Sequence, residues 1–95
     1  MLGSKKTKRL NYFADPGHGW VAVKRSFMVK VGVNLLDITP YSYQSKTGKT
    51  VYLEEDCDVM CLFIAMDKAG YLPEFKYIRM ECGFVTSRTL EGYQP

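Results

Sequence analysis

The sequence predicts an α+β fold: an antiparallel sheet of about five strands, with one main helix at about 57–69 packed on a face and one short helix at about 26–33. Three observations lead there. Short segments alternate apolar and polar residues between Gly, Pro and Asp signals, which is the period of a half-buried strand. One segment, carrying Val59, Leu62, Phe63 and Met66, follows the i, i+3, i+4, i+7 spacing of a helix face. The length, 95 residues, makes one domain able to bury a single core.

The first strand runs from Arg9 to Ala14 and carries Tyr12 and Phe13. Asp15-Pro16-Gly17 has turn chemistry, because proline presets φ and glycine accepts a positive φ. The loop Asp15–Gly19 therefore joins the first strand as a hairpin to a second, Trp20 to Val23. There Val21 and Val23 share one face, and Trp20 and Ala22 share the other. Ser26 caps the short helix, with Phe27, Val31 and Met28 or Leu35 facing inward and Gly32 as its stop. Thr39-Pro40 breaks the chain, since a residue before proline avoids the helical region.

A second hairpin follows, residues 40–45 with 50–55. Tyr41 and Tyr43 share a face, Lys46-Thr47-Gly48-Lys49 is the turn, and Val51 and Leu53 point together, opposite Tyr52. Asp56 or Asp58 caps the main helix, and the acids from Glu54 to Asp58 suit the positive end of its dipole. Gly70 stops it. Met60 and Ile64 are apolar too, so this helix is buried on more than one side or meets another chain. Residues 74–81 read as the last strand, and Phe84 and Val85 dock after it. The expected organisation is a flexible basic arm over 1–8, a single domain over 9–88 and a flexible C-terminus over 89–95.

The formal charge of +3 resides in a short tract. Lys5, Lys6, Lys8 and Arg9 precede a remainder in which Lys and Arg are slightly outnumbered by Asp and Glu. A dedicated nucleic-acid binder carries its charge on the folded body. The tract thus reads as a solvated arm, with contact to phosphate or to an acidic partner as the alternative. No apolar run approaches the ~20 residues of a membrane span, and no apolar stretch follows the basic start as in a signal peptide. Three cysteines, Cys57, Cys61 and Cys82, are an odd number without secretory features, which points to reduced thiols in a cytoplasm.

Few constellations suggest chemistry. Cys57, Cys61, Cys82 and His18 contain a zinc-ligand set in type, but no paired C-x₂-C spacing, so buried free thiols are the simpler reading. Glu54-Glu55-Asp56-Cys57-Asp58 is the densest acidic stretch; it lacks the alternation and glycine of a calcium loop, and helix capping accounts for most of it. His18, the only histidine, stands two residues before Trp20, the only tryptophan. A catalytic base needs a nucleophile and an orienting group, and only Asp15 is near in sequence. Seven tyrosines supply interface or base-stacking chemistry, and are equally ordinary strand residues.

The strings DPGHGWVAV, PYSYQ and VYLEEDCD resemble a set of small phage and mobile-element proteins without an assigned activity, over residues 11–70. The resemblance implies an accessory protein of a bacterial cytoplasm that binds a host protein, for instance a defence or regulatory component. It supplies no catalytic residues. The run WVAVKRSFMVKVGV resembles, more weakly, the strand–helix segment of AbrB-type swapped-hairpin DNA-binding regulators. Lys24 stands where those have proline, and a Tyr-rich hairpin replaces the Gly-Asp that leads into their next strand.

The leading expectation is a non-enzymatic binding protein, as a possible homodimer, that inhibits or redirects a host protein. Trp20 and Tyr52 are its expected anchors; His18, Glu54, Glu55 and Asp58 form a polar rim or mimic a nucleic-acid backbone. The alternative is a DNA-binding regulator using Lys5, Lys6, Lys8, Arg9, Lys24 and Arg25. A third reading is a small enzyme using His18 and the acidic cluster. No metal, cofactor or membrane is expected.

Overall fold

The computed structural model describes residues 5–80 and 90–95. Among these residues six strands and two helices follow in order: β1 (Lys6–Ala14), β2 (Gly19–Lys24), α1 (Arg25–Val31), β3 (Tyr43–Ser45), β4 (Thr50–Glu54), α2 (Val59–Ala69), β5 (Tyr71–Arg79) and β6 (Leu90–Gly92). A 3₁₀ turn, Leu35–Asp37, lies between α1 and β3. All six strands form one sheet in the order β5-β1-β2-β4-β3-β6. The fold is α+β as expected, but the sheet is mixed. Four neighbouring pairs are antiparallel, and β1 pairs with β5 in parallel.

The parallel pair follows from α2. After β4 the chain crosses over one face as a helix and returns to the end from which β4 set out. The next strand must then run parallel to β4. Because β1 is also parallel to β4 through β2, β5 joins β1 in parallel. This pairing extends β1 to Lys6 rather than Arg9, since Lys6 to Arg9 align with Tyr71 to Glu74. Lys6 to Lys8 of the expected flexible arm are therefore strand.

The C-terminus differs as well. Expected to be loose, it supplies β6 against β3 and then buries Tyr93, whose hydroxyl donates to the Leu35 carbonyl at 2.6 Å. Met1 to Ser4, Cys82 and the expected docking of Phe84 and Val85 lie outside the described residues.

Period two sorts the sheet's side chains. Val21, Val23, Val51, Leu53 and Leu10 face the helices and meet Phe27, Met28 and Val31 of α1 and Val59, Leu62 and Met66 of α2. The opposite face buries Phe13 and Trp20 among Ala22, Tyr43, Tyr52, Ile78, Met80 and Leu90. The expected Val21/Val23 and Trp20/Ala22 division holds. Tyr41 lies outside β3 and is exposed, so it does not share the alternation of Tyr43.

Each helix ends at a glycine in the left-handed region, Gly32 at φ 91° and Gly70 at φ 86°, which L side chains rarely adopt. The starts differ from expectation. The short helix begins at Arg25 with Lys24 at its N-cap, so Ser26 lies inside it and caps nothing. The main helix begins at Val59 with Asp58 at the N-cap position, but the Asp58 side chain does not cap. One flank of α2 is open, with Met60 and Ile64 exposed.

Leu62 is fully buried between α2 and the sheet. Leu62→Ala should cost about 3 kcal/mol by removing buried methyl groups and leaving a cavity. Urea unfolding followed by circular dichroism measures this as a lower midpoint with an unchanged slope.

Candidate functional site

The loop that turns β1 into β2 is an Asx turn. The Asp15 carboxylate accepts from the backbone N–H of Gly17 at 3.0 Å and of His18 at 2.8 Å. It fixes His18 outside, with its ring 5.6 Å from that of Trp20. Nδ1 of His18 is 3.9 Å from Asp15 Oδ1, beyond hydrogen-bond range. Trp20 itself is only 5% exposed and stacks edge-on to Tyr43. It is a core residue of the second sheet face, not the surface anchor expected. Tyr52 is half-buried beside Phe13.

The acidic stretch turns inward. Glu54 is buried, and its carboxylate accepts from the Asp56 N–H at 2.7 Å. Asp58 is wholly buried and accepts from the Thr39 N–H at 3.0 Å, the Thr39 hydroxyl at 2.8 Å and the Ser42 hydroxyl. Ser42 Oγ accepts in turn from the Glu54 N–H at 3.0 Å. Glu55 accepts from the Tyr12 hydroxyl and donates its backbone N–H to the Gly19 carbonyl. A Cβ at Gly19 would stand 2.6 Å from that hydroxyl and 2.7 Å from the Glu55 carboxylate, so any larger residue would make both side chains shift. Thus Glu54 and Asp58 serve the fold, and neither forms a rim or mimics a nucleic-acid backbone. Of this stretch Asp56 and Cys57 are exposed and Glu55 is half-buried.

The opposite end of β2 and β4 is basic. Lys24 pairs in register with Thr50, and the Arg25 N–H donates to the Lys49 carbonyl at 2.8 Å. The Arg25 guanidinium donates to the Gly48 carbonyl and to Gln44 Oε1, each at 2.7 Å, and lies 5.2 Å from the Tyr93 ring centre. It clamps the start of α1 onto β3 and the β3–β4 turn, with Tyr93 beside it. Around this clamp opens a groove of about 1280 Å³, with Lys24 and Lys49 exposed beside Ser45, Thr47 and Gln94. Lys46, also exposed, stands in the same turn. Among the described residues Lys24, Lys46 and Lys49 have no carboxylate partner.

The remaining cations of the expected DNA set are placed differently. Lys5 pairs with Asp67, Arg9 Nε donates to Glu74 at 3.1 Å, and Lys8 Nζ sits 4.6 Å from the Phe27 ring centre. Lys6 is exposed on β1. Lys46 and Lys49 escaped the sequence reading because Lys46-Thr47-Gly48-Lys49 registered only as a turn; two lysines flanking a turn glycine were the available signal.

The thiols are not all buried. Cys57 is exposed and Cys61 half-buried. Desolvation, and then the carboxylates of Glu54 and Asp58, push the Cys57 thiol above its ordinary value, which lowers its thiolate fraction. Among the described residues no three His, Cys, Asp or Glu side chains are grouped as metal ligands.

Asp58→Asn should destabilise the fold by about 3 kcal/mol, because it replaces a charge-assisted acceptor of three hydrogen bonds by an amide. Denaturant titration of both proteins measures it. Desolvation and the neighbouring Glu55 raise the Tyr12 phenol well above its ordinary range. A raised folded value means stability that is complete below pH about 10, the unfolded phenol value, and declines as pH rises from there. The urea midpoint should therefore drop above pH 10, and Tyr12→Phe should flatten that drop.

No family model, curated protein or solved structure matches this chain.

Proposed function

We propose that this chain is a small accessory protein of phage or mobile-element kind, acting in the cytoplasm of a bacterial host by binding a host protein. Its working surface is the basic groove around Arg25, and the complementary surface on the partner carries clustered carboxylates. One observation carries this reading. The acids that matter to the fold are turned inward, while Lys24 and Lys49 stand exposed in one groove, with Lys46 exposed in the adjoining turn, and none of the three has a carboxylate partner among the described residues. Unpaired surface cations gathered beside hydroxyl and amide groups attract an anionic partner and speed its approach. Arg25, locked by two side-chain hydrogen bonds, gives the groove a floor that does not rearrange on binding.

Nucleic acid is the second reading. It is favoured by the face on which Lys24 lies, since half-buried Tyr43 and Tyr52 on that face are suited to base stacking.

Affinity capture from host lysate, with and without nuclease, separates the two. A stoichiometric host protein that survives nuclease is the expected result, and recovery that nuclease abolishes establishes the second reading. Lys24→Glu with Lys49→Glu should weaken capture at least about tenfold, because like charges then face each other. Capture undiminished by the double reversal would remove the groove from either reading.

A further inference from the structure

The strand β5 forms one border of the sheet, and among the described residues nothing pairs with its outer side. At nine residues it is as long as β1, whereas β6 at the other border has three. Natural sheets shorten, cover or charge such borders, because a long row of free N–H and C=O groups recruits another strand. Here Leu72 is 49% exposed and Tyr77 is 71% exposed.

The backbone directions on β5 are set by its hydrogen bonds. Lys6 donates to the Gly70 carbonyl at 2.9 Å, and Met80 donates to the Ala14 carbonyl at 2.7 Å. By the period of two, the even-numbered residues turn their N–H and C=O toward β1. Tyr71, Pro73, Phe75, Tyr77 and Arg79 turn theirs outward. Pro73, the one residue without an N–H, thus falls where the lack harms no existing ladder.

We propose that β5 joins a second copy of this chain in an antiparallel pair about a two-fold axis through Phe75, making one continuous sheet across two subunits. The sequence YLPEFKYIR is self-complementary about that point. Phe75 faces Phe75 of the second copy, Glu74 faces its Lys76, and Leu72 faces its Ile78. Symmetry repeats each unlike pair, as an isologous interface requires. Opposite charges and apolar pairs in direct register stabilise an antiparallel pair, and like charges there destabilise it. Glu74 already accepts from Arg9 of its own chain, so the carboxylate lies between two cations. The outward groups of Phe75, Tyr71 and Arg79 form the new ladder, with Pro73 withholding one donor on each side.

Sedimentation equilibrium across concentration tests this, with the 10.9 kDa chain expected to approach twice that mass. Lys76→Glu places two glutamates opposite each other at two points and should raise the dimer dissociation constant at least about tenfold. Glu74→Lys combined with Lys76→Glu restores the opposite charges and should restore the dimer. Circular dichroism confirms that each variant is folded. A chain of 10.9 kDa at every concentration up to about 1 mM, a range covering weak pairs, would overturn the proposal. So would a dimer that Lys76→Glu leaves intact, or a folded double variant no tighter than the single one.

Discussion

The Asp58 carboxylate is where three separate parts of the chain meet. It receives the Thr39 N–H, the Thr39 hydroxyl and the Ser42 hydroxyl, and Ser42 passes the connection on to the backbone of Glu54. The loop before β3, the end of β4 and the start of α2 are thereby held at one point. A wholly buried carboxylate is tolerable only when its lone pairs are occupied by donors, because desolvating a charge costs several kcal/mol. Once they are occupied, the charge-assisted bonds are stronger and more directional than neutral ones. The angle at which α2 leaves β4 follows from that knot, and with it the return of the chain alongside β1.

The same inward turn of carboxylates explains why charge on the surface differs from charge in the sequence. Glu54, Asp58 and, in part, Glu55 are spent on backbone and hydroxyl donors. Asp67 and Glu74 meet Lys5 and Arg9. Among the described residues the cations at the far end of β2 and β4 have no such counterpart, so that end is positive although the body is nearly neutral by count. Arg25 belongs to that end chemically, but structurally it is a clamp. Two of its nitrogens are committed to Gly48 and Gln44.

Local pattern made much of the fold legible. Val59, Leu62 and Met66 marked the buried face of α2, Val21 and Val23 marked the helix-facing side of β2, and Gly32 and Gly70 marked helix ends. These features depend on a few neighbouring residues, and so they are written in spacing. The pairing of β5 with β1 is not, because strand direction is decided by the path of the chain between strands. Lys6 to Lys8 looked like a solvated arm since nothing near them in sequence supplies their partners. The acidic stretch was misplaced for a related reason. A carboxylate that caps, one that faces water and one that ties a loop have the same letter, and only the position of Thr39 and Ser42 distinguishes them.

The parallel pair has a kinetic consequence. Lys6 and Tyr71, or Ala14 and Arg79, are partners 65 positions apart along the chain. Closing so long a loop carries an entropic penalty that must be met before the contacts it creates can repay it. The antiparallel core of β1, β2 and β4 spans shorter separations and includes a tight hairpin. Topology therefore makes docking of β5 the late step of assembly. Until it occurs, the outer border of β1 is bare together with both borders of β5.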